Sequence, residues 1–119
     1  MPTILIVDDV RTEQEIIKKA LQPLGYSFLI AENGTQALEV AAKEVPALIV
    51  LDVIMPDMDG FKACRKLKKA DGTKNIPIIL CTTKGGESDK FWGEKQGADA
   101  YVTKPFDAGE FLGVARRLL

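Results

Sequence analysis

Short apolar runs alternate along this chain with segments whose apolar residues recur at helical spacing. Residues 3–7 read as a buried strand around Ile4-Leu5-Ile6-Val7. Residues 11–24 read as a helix with Ile16, Ile17, Ala20, Leu21 and Leu24 on one face, stopped by Gly25. A strand at 26–31, a turn at Glu32-Asn33-Gly34 and a helix at 35–44 follow; that helix is expected to bury Ala37, Leu38, Ala41 and Ala42, and Pro46 ends it. A third strand spans 47–52. Residues 53–60, with Pro56 and Gly60 among acids, form a loop into a helix at 60–69 that places Phe61, Cys64 and Leu67 on one side. Beyond an Asp71-Gly72 loop, Pro77 opens a fourth strand at 77–82, where its missing N–H is tolerated. A helix near 88–96 ends at Gly97, a fifth strand covers about 100–103, and a last helix at 107–118 carries Phe111, Leu112, Ala115, Leu118 and Leu119 on one stripe. Five strands alternating with five helices predict an α/β fold, a doubly wound parallel sheet with right-handed crossovers. The most apolar strands, the first, third and fourth, suit its centre.

This pattern fills the chain. At 119 residues it is expected to be one domain, 1–119, with no output domain after the last helix. Sixteen basic and 17 acidic residues leave a net charge of −1, which provides no global attraction to nucleic acid or membrane. No apolar run approaches the ~20 residues of a membrane span. Met1-Pro2-Thr3 leads straight into a strand pattern, so no secretory signal is expected. Cys64 and Cys81 read as buried free thiols, from which a cytoplasmic location is expected. The chain has no histidine. That excludes a Ser–His pair, histidine-bound zinc and a self-contained phosphohistidine carrier.

Chemistry gathers where the apolar runs stop. Asp8 and Asp9 follow the first run, Asp52 the third, Thr82 closes the fourth, and Lys104 follows the fifth. In a parallel sheet all of them meet at the carboxyl edge, where open α/β folds bind ligands. Carboxylates at this density repel one another unless a cation sits among them. Their hard oxygens suit Mg²⁺, which keeps several waters. Asp52 is then placed to attack phosphorus, with Lys104 neutralising phosphoryl oxygens and Thr82 donating its hydroxyl. Singly, each residue has a plainer reading: a helix cap for Asp8 or Asp9, a loop acid for Asp52, a solvated lysine for Lys104 and a strand end for Thr82.

The same residues carry a resemblance. Leu5-Ile6-Val7-Asp8-Asp9, Asp52-Val53-Ile54-Met55-Pro56-Asp57-Met58-Asp59-Gly60, Thr82-Thr83 and Gly97-Ala98-Asp99-Ala100-Tyr101-Val102-Thr103-Lys104-Pro105-Phe106, in this order and spacing, resemble the CheY-like receiver domain of response regulators over essentially the whole chain. The resemblance implies a flavodoxin-like sheet of order 2-1-3-4-5. It implies Asp52 as phosphoacceptor, Mg²⁺ bound by Asp9, Asp52 and the backbone carbonyl of Ile54 with Asp8 acting through water, and Lys104 on the phosphoryl group. It further implies a cis Lys104-Pro105 bond and a switch pair, Thr82 and Tyr101. The implied partners are a CheA-like sensor histidine kinase and a protein effector on the face of the fourth helix, fifth strand and fifth helix. Thr82-Thr83-Lys84, Asp89-Lys90-Phe91-Trp92-Gly93 and Gln96-Gly97-Ala98 look like the PilH/PixH type, which implies control of type IV pili or phototaxis. Trp92 is read either as a packed helix residue or as a partner contact.

Three positions tune the expected chemistry. Ile54 cannot hydrogen-bond an attacking water, Lys84 cannot accept a hydrogen bond, and Thr83 replaces a smaller residue common there. Slow self-dephosphorylation is the expectation; decay of the phosphorylated protein before and after Ile54→Asn measures it. Lys84-Gly85-Gly86-Glu87 is a pliable link beside Thr82, suited to a switch. The alternatives are a small Mg²⁺-dependent phosphatase with an aspartate nucleophile and a phosphate sink for a shared kinase. Against the phosphatase, the residue two after Asp8 is Val10 rather than a second acid.

Overall fold

The computed structural model describes residues 2–119; Met1, from which the leader expectation was read, lies outside them. The strands are β1 (Thr3–Val7), β2 (Ser27–Ala31), β3 (Leu48–Leu51), β4 (Ile78–Thr82) and β5 (Ala100–Thr103). The helices are α1 (Arg11–Leu21), α2 (Gly34–Glu44), α3 (Gly60–Lys69), α4 (Glu87–Lys95) and α5 (Ala108–Leu118). All strand pairs are parallel and the order is β2-β1-β3-β4-β5. The fold expectation holds in class, order and element count.

Alternation along the strands builds two cores. Leu5, Val7, Ile49, Leu51, Ile78 and Leu80 point to one face, where Ala37 and Ala41 of α2 and Ala63, Cys64 and Leu67 of α3 cover them. Ile4, Ile6, Leu48, Val50, Ile79 and Cys81 point to the other, under Ile17 and Leu21 of α1 and Phe111 and Ala115 of α5. Covered on both faces, β1, β3 and β4 read as continuous apolar runs rather than alternating ones.

Helix edges depart from the periodic reading in small ways. The first helix ends at Leu21, and a 3-10 turn over Gln22–Leu24 with Pro23 inside it leads to Gly25. Ile16 is 52% exposed because α1 meets the sheet along Ile17 and Leu21 and meets α5 beside them. Ala42 and Leu119 are likewise exposed rather than core, since Ala41 and Ala115 take the inward positions. At the end of α2, Val45 takes a left-handed backbone (φ 44°) just before Pro46, an uncommon conformation for a β-branched residue.

Candidate functional site at the carboxyl edge of the sheet

Register brings the chemistry together. Val7 pairs with Leu51, so Asp8 and Asp52 leave the sheet side by side. The Asp52 N–H donates to the Val7 carbonyl at 3.0 Å, extending the ladder one residue into the site. Thr82 pairs with Thr103, and the Lys104 N–H donates to the Thr82 carbonyl at 2.8 Å. Lys104 therefore enters from the far strand and reaches across β4. The Lys104-Pro105 peptide that follows is cis, as expected.

The acids are not equivalent. Asp8 is fully buried; its carboxylate accepts from the Val10 N–H at 2.9 Å and from Lys104 Nζ at 2.6 Å. Its backbone carbonyl accepts from the Gln14 side-chain amide at 2.7 Å. Asp52 is partly open to solvent and accepts from the Ile54 N–H at 3.2 Å and from Lys104 Nζ at 3.4 Å. Asp9 is exposed at the rim. Burial pushes the Asp8 carboxyl up from its ordinary range, and the Lys104 and Val10 bonds only partly counter it. Burial also opposes the Lys104 charge, but the Asp8 bond and the Asp52 and Asp8 charges outweigh it and move that lysine up. Lys104 is thus a fixed cation among acids at neutral pH.

One carboxylate oxygen from each of Asp8, Asp9 and Asp52 can lie within 4.8 Å of the other two. Oxygen-only donors with one open side match a hard divalent cation such as Mg²⁺ and not a soft one. The donor set fits the implied metal.

The loop after β3 is held on three sides. A Cβ at Gly60 would lie 2.1 Å from the Asp52 carbonyl oxygen, so only glycine lets α3 start against the strand that carries Asp52. The Gly60 N–H donates to the Val53 carbonyl at 2.7 Å. Asp59 caps α3 through the Lys62 N–H at 2.8 Å. Asp57 reaches the start of α2 and accepts from the Gly34 N–H (2.8 Å), the Thr35 N–H (2.9 Å) and the Thr35 hydroxyl (2.6 Å). Those bonds, the hydroxyl's first, hold the Asp57 carboxyl well below the usual carboxylate range.

Beside the acids, Thr82 is fully buried and its hydroxyl oxygen accepts from the Lys84 N–H at 3.4 Å. The Tyr101 hydroxyl donates to the Lys84 carbonyl, so the loop between β4 and α4 is gripped from both ends of the expected switch pair. Burial, then the charges of Asp89 and Asp52, push the Tyr101 phenol up to about 12. Ile54, Thr83 and Lys84 are exposed around the mouth. Trp92 is 52% exposed on α4, so the packed reading of that residue gives way to the open one. Cys64 and Cys81 are buried and free, and burial raises their thiols to about 11 and 12.

Two residues escaped the sequence reading. Glu13, in the first turn of α1, brings a carboxylate oxygen to 3.5 Å from Lys104 Nζ. Gln14 is buried beneath Asp8. Their signal was faint: both follow Asp9 by about one helical turn, at the start of a helix whose rotation about its axis the periodicity left loose.

A family model for the response regulator receiver domain matches residues 4–116. Pseudomonas aeruginosa PilH is 42% identical over 119 residues, covering 100% of this chain and 98% of PilH. The phosphate regulon transcriptional regulatory protein PhoB of the same organism is 44% identical over 98% of this chain, which spans 51% of PhoB. Among solved structures, the chemotaxis response regulator CheY4 of Vibrio cholerae superposes with a TM-score of 0.90 at 32% identity, covering 100% of this chain and 99% of CheY4. These likenesses do not favour the phosphatase alternative. With the strand order, the acidic edge and these relatives in agreement, the chain belongs to the response regulator receiver domains, the phosphoryl-receiving modules of two-component signalling.

Proposed function

We propose that this receiver accepts a phosphoryl group on Asp52 from the phosphohistidine of a sensor histidine kinase, and that the modified state changes its affinity for a protein effector. The observation that carries this reading is the placement of Lys104 Nζ 2.6 Å from Asp8 and 3.4 Å from Asp52, a fixed cation beside a partly open acid at a strand end. Asp8, Asp9, Asp52 and the Ile54 backbone carbonyl would hold Mg²⁺. That ion, when bound, supplies positive charge for the phosphoryl oxygens and relieves repulsion among the acids.

The chain's own residues do the rest. An Asp52 carboxylate oxygen attacks phosphorus while the donor's P–N bond breaks, its electron pair returning to the imidazole, which takes up a proton. Lys104 follows the charge from the carboxylate to the phosphoryl oxygens. Thr82 turns its hydroxyl toward the new group, loosening its hold on the Lys84 N–H. Tyr101 then releases the Lys84 carbonyl and moves toward the vacated space. The face of α4, β5 and α5 changes shape, and the effector reads that change. The only turnover belonging to the chain itself is its own phosphorylation and hydrolysis.

The likeness to PilH along nearly the full length of both chains supports a pilus-related role; the reading takes a CheA-like kinase as donor and the cytoplasm as the place where it acts. Intact mass after incubation with acetyl phosphate and Mg²⁺ tests the core of the reading. The parent is expected to gain one phosphoryl group and Asp52→Asn none. A parent inert to acetyl phosphate, phosphoramidate and a CheA-like kinase alike would overturn it.

A further inference from the structure

Lys104 has three acidic neighbours, and the phosphoryl chemistry of the fold needs only two of them. Asp8 and Asp52 leave β1 and β3 beside it; the third, Glu13, comes from α1 at 3.5 Å. The lysine side chain is 8% exposed, so its ammonium has little water to turn to; it hydrogen-bonds Asp8 and Asp52 and forms a looser ion pair with Glu13. Glu13 is the least buried of the Lys104 partners, with a side chain 32% exposed. It lines, with Ile16, Thr83, Lys104, Pro105 and Phe106, a cavity of about 240 Å³ beside the site. That cavity gives its carboxylate somewhere to go.

We propose that Glu13 is a positioning residue that holds Lys104 back from the incoming phosphoryl group and swings aside when that group arrives. The proposal rests on the reading of Asp52 as phosphoacceptor and adds a resting contact that the reaction must break. A phosphoryl group on Asp52 brings oxygens carrying close to two negative charges. Lys104 moves with the charge from Asp52 to these oxygens, and it reaches them best by also loosening its hold on Asp8 or Glu13. Asp8 is the poorer one to lose, because it is fully buried and its bond to the lysine is the shortest. Glu13 is the partner that can leave, since its side chain is already 32% exposed and can turn to solvent at the mouth of the cavity. Its negative charge also opposes the approach of an anionic donor. Glu13 therefore slows phosphate acceptance, and in the resting protein it draws Lys104 away from Asp52, favouring cation binding among the acids.

The two effects have opposite signs, which separates this role from plain structural support. In Glu13→Gln, with Mg²⁺ saturating, acetyl phosphate is expected to phosphorylate Asp52 about threefold faster than in the parent. The Mg²⁺ dissociation constant of the unphosphorylated protein, measured by titration calorimetry, is expected to rise about threefold, as one unit charge at this range implies after screening. Glu13→Asp keeps the charge but withdraws it by one methylene. In high salt, where the long-range field is screened, it is expected to match Glu13→Gln in rate. Unchanged rates in Glu13→Gln beside a parent that takes phosphate normally would overturn the proposal and leave the Asp52 reading standing. Slower acceptance with weaker Mg²⁺ binding and a lowered melting temperature would likewise overturn it, by showing that Glu13 is structural. A parent that takes no phosphate from any donor would remove both.

Discussion

The acidic edge and α4 lie at opposite ends of the range of packing in this molecule. All four residues of β3 and all five of β4 are buried; Asp52 extends β3, Asp8 extends its buried neighbour β1, and Lys104 reaches them from the half-buried β5. Of the nine residues of α4 only Gly93 is buried, while Phe91 and Trp92 are 58% and 52% exposed. One region holds charges in place with a core on both faces; the other turns its largest apolar side chains outward. A phosphoryl site needs the first arrangement, because misplaced charges do not stabilise a transition state. An output element suits the second, because a helix with little buried area costs little to shift. Tyr101 and the link after Thr82 connect the two.

Four measurements would break or sharpen this contrast. Lys104→Ala should have the largest effect. It leaves Asp8 buried without its cation and is expected to lower stability by about 3 kcal/mol in urea titrations without Mg²⁺. Added Mg²⁺ should restore more stability in this variant than in the parent. A loss below about 1 kcal/mol would mean that the edge is no more tightly built than α4.

Gly93→Ala comes next. A Cβ there would lie 2.9 Å from the Tyr101 ring and 3.0 Å from Leu80, so the Tyr101 ring or α4 itself must shift. Overpacking outweighs the better helix propensity of alanine, for a net cost of about 1 kcal/mol, and Trp92 fluorescence should change. A neutral variant with an unchanged spectrum would show that α4 already stands off the sheet.

Asp57→Asn tests the loop that links the acidic edge to α2. The folded-state value of Asp57 lies below its ordinary 3.8, so in acid the unfolded chain binds the proton first. The advantage of the parent over Asp57→Asn is expected to be full above about pH 5 and to shrink as pH falls below it. Denaturation midpoints at pH 7 and pH 3 check the sign. A gap that widens in acid would contradict the hydrogen bonds drawn here.

Phe91→Ala and Trp92→Ala should matter least to folding. Both are expected to stay within about 0.5 kcal/mol of the parent, because the side chains are exposed. The same changes should weaken effector binding. A large loss of stability from either would place α4 among the packed elements and erase the contrast.

Much of this was legible before any coordinates. The runs ending in Asp8-Asp9, Asp52, Thr82 and Lys104 announced both the strands and the edge at which they converge, because side-chain period and strand length are local properties. Helix faces were read less well. Ile16 and Ala42 sit one residue from true core positions, and a stripe of helical spacing does not say which edge of it meets the sheet. Glu13 escaped for the same reason.

The order of apolar runs and turn residues was enough to determine an α/β sheet, its chemistry and the residues that carry it, since each depends on neighbours a few positions apart. Only tertiary structure decided which acid Lys104 grips, that Asp57 ties the β3 loop to α2, and that Trp92 faces outward. Those outcomes depend on register and helix rotation across the sheet, where contacts between distant stretches, not local preference, set the energy.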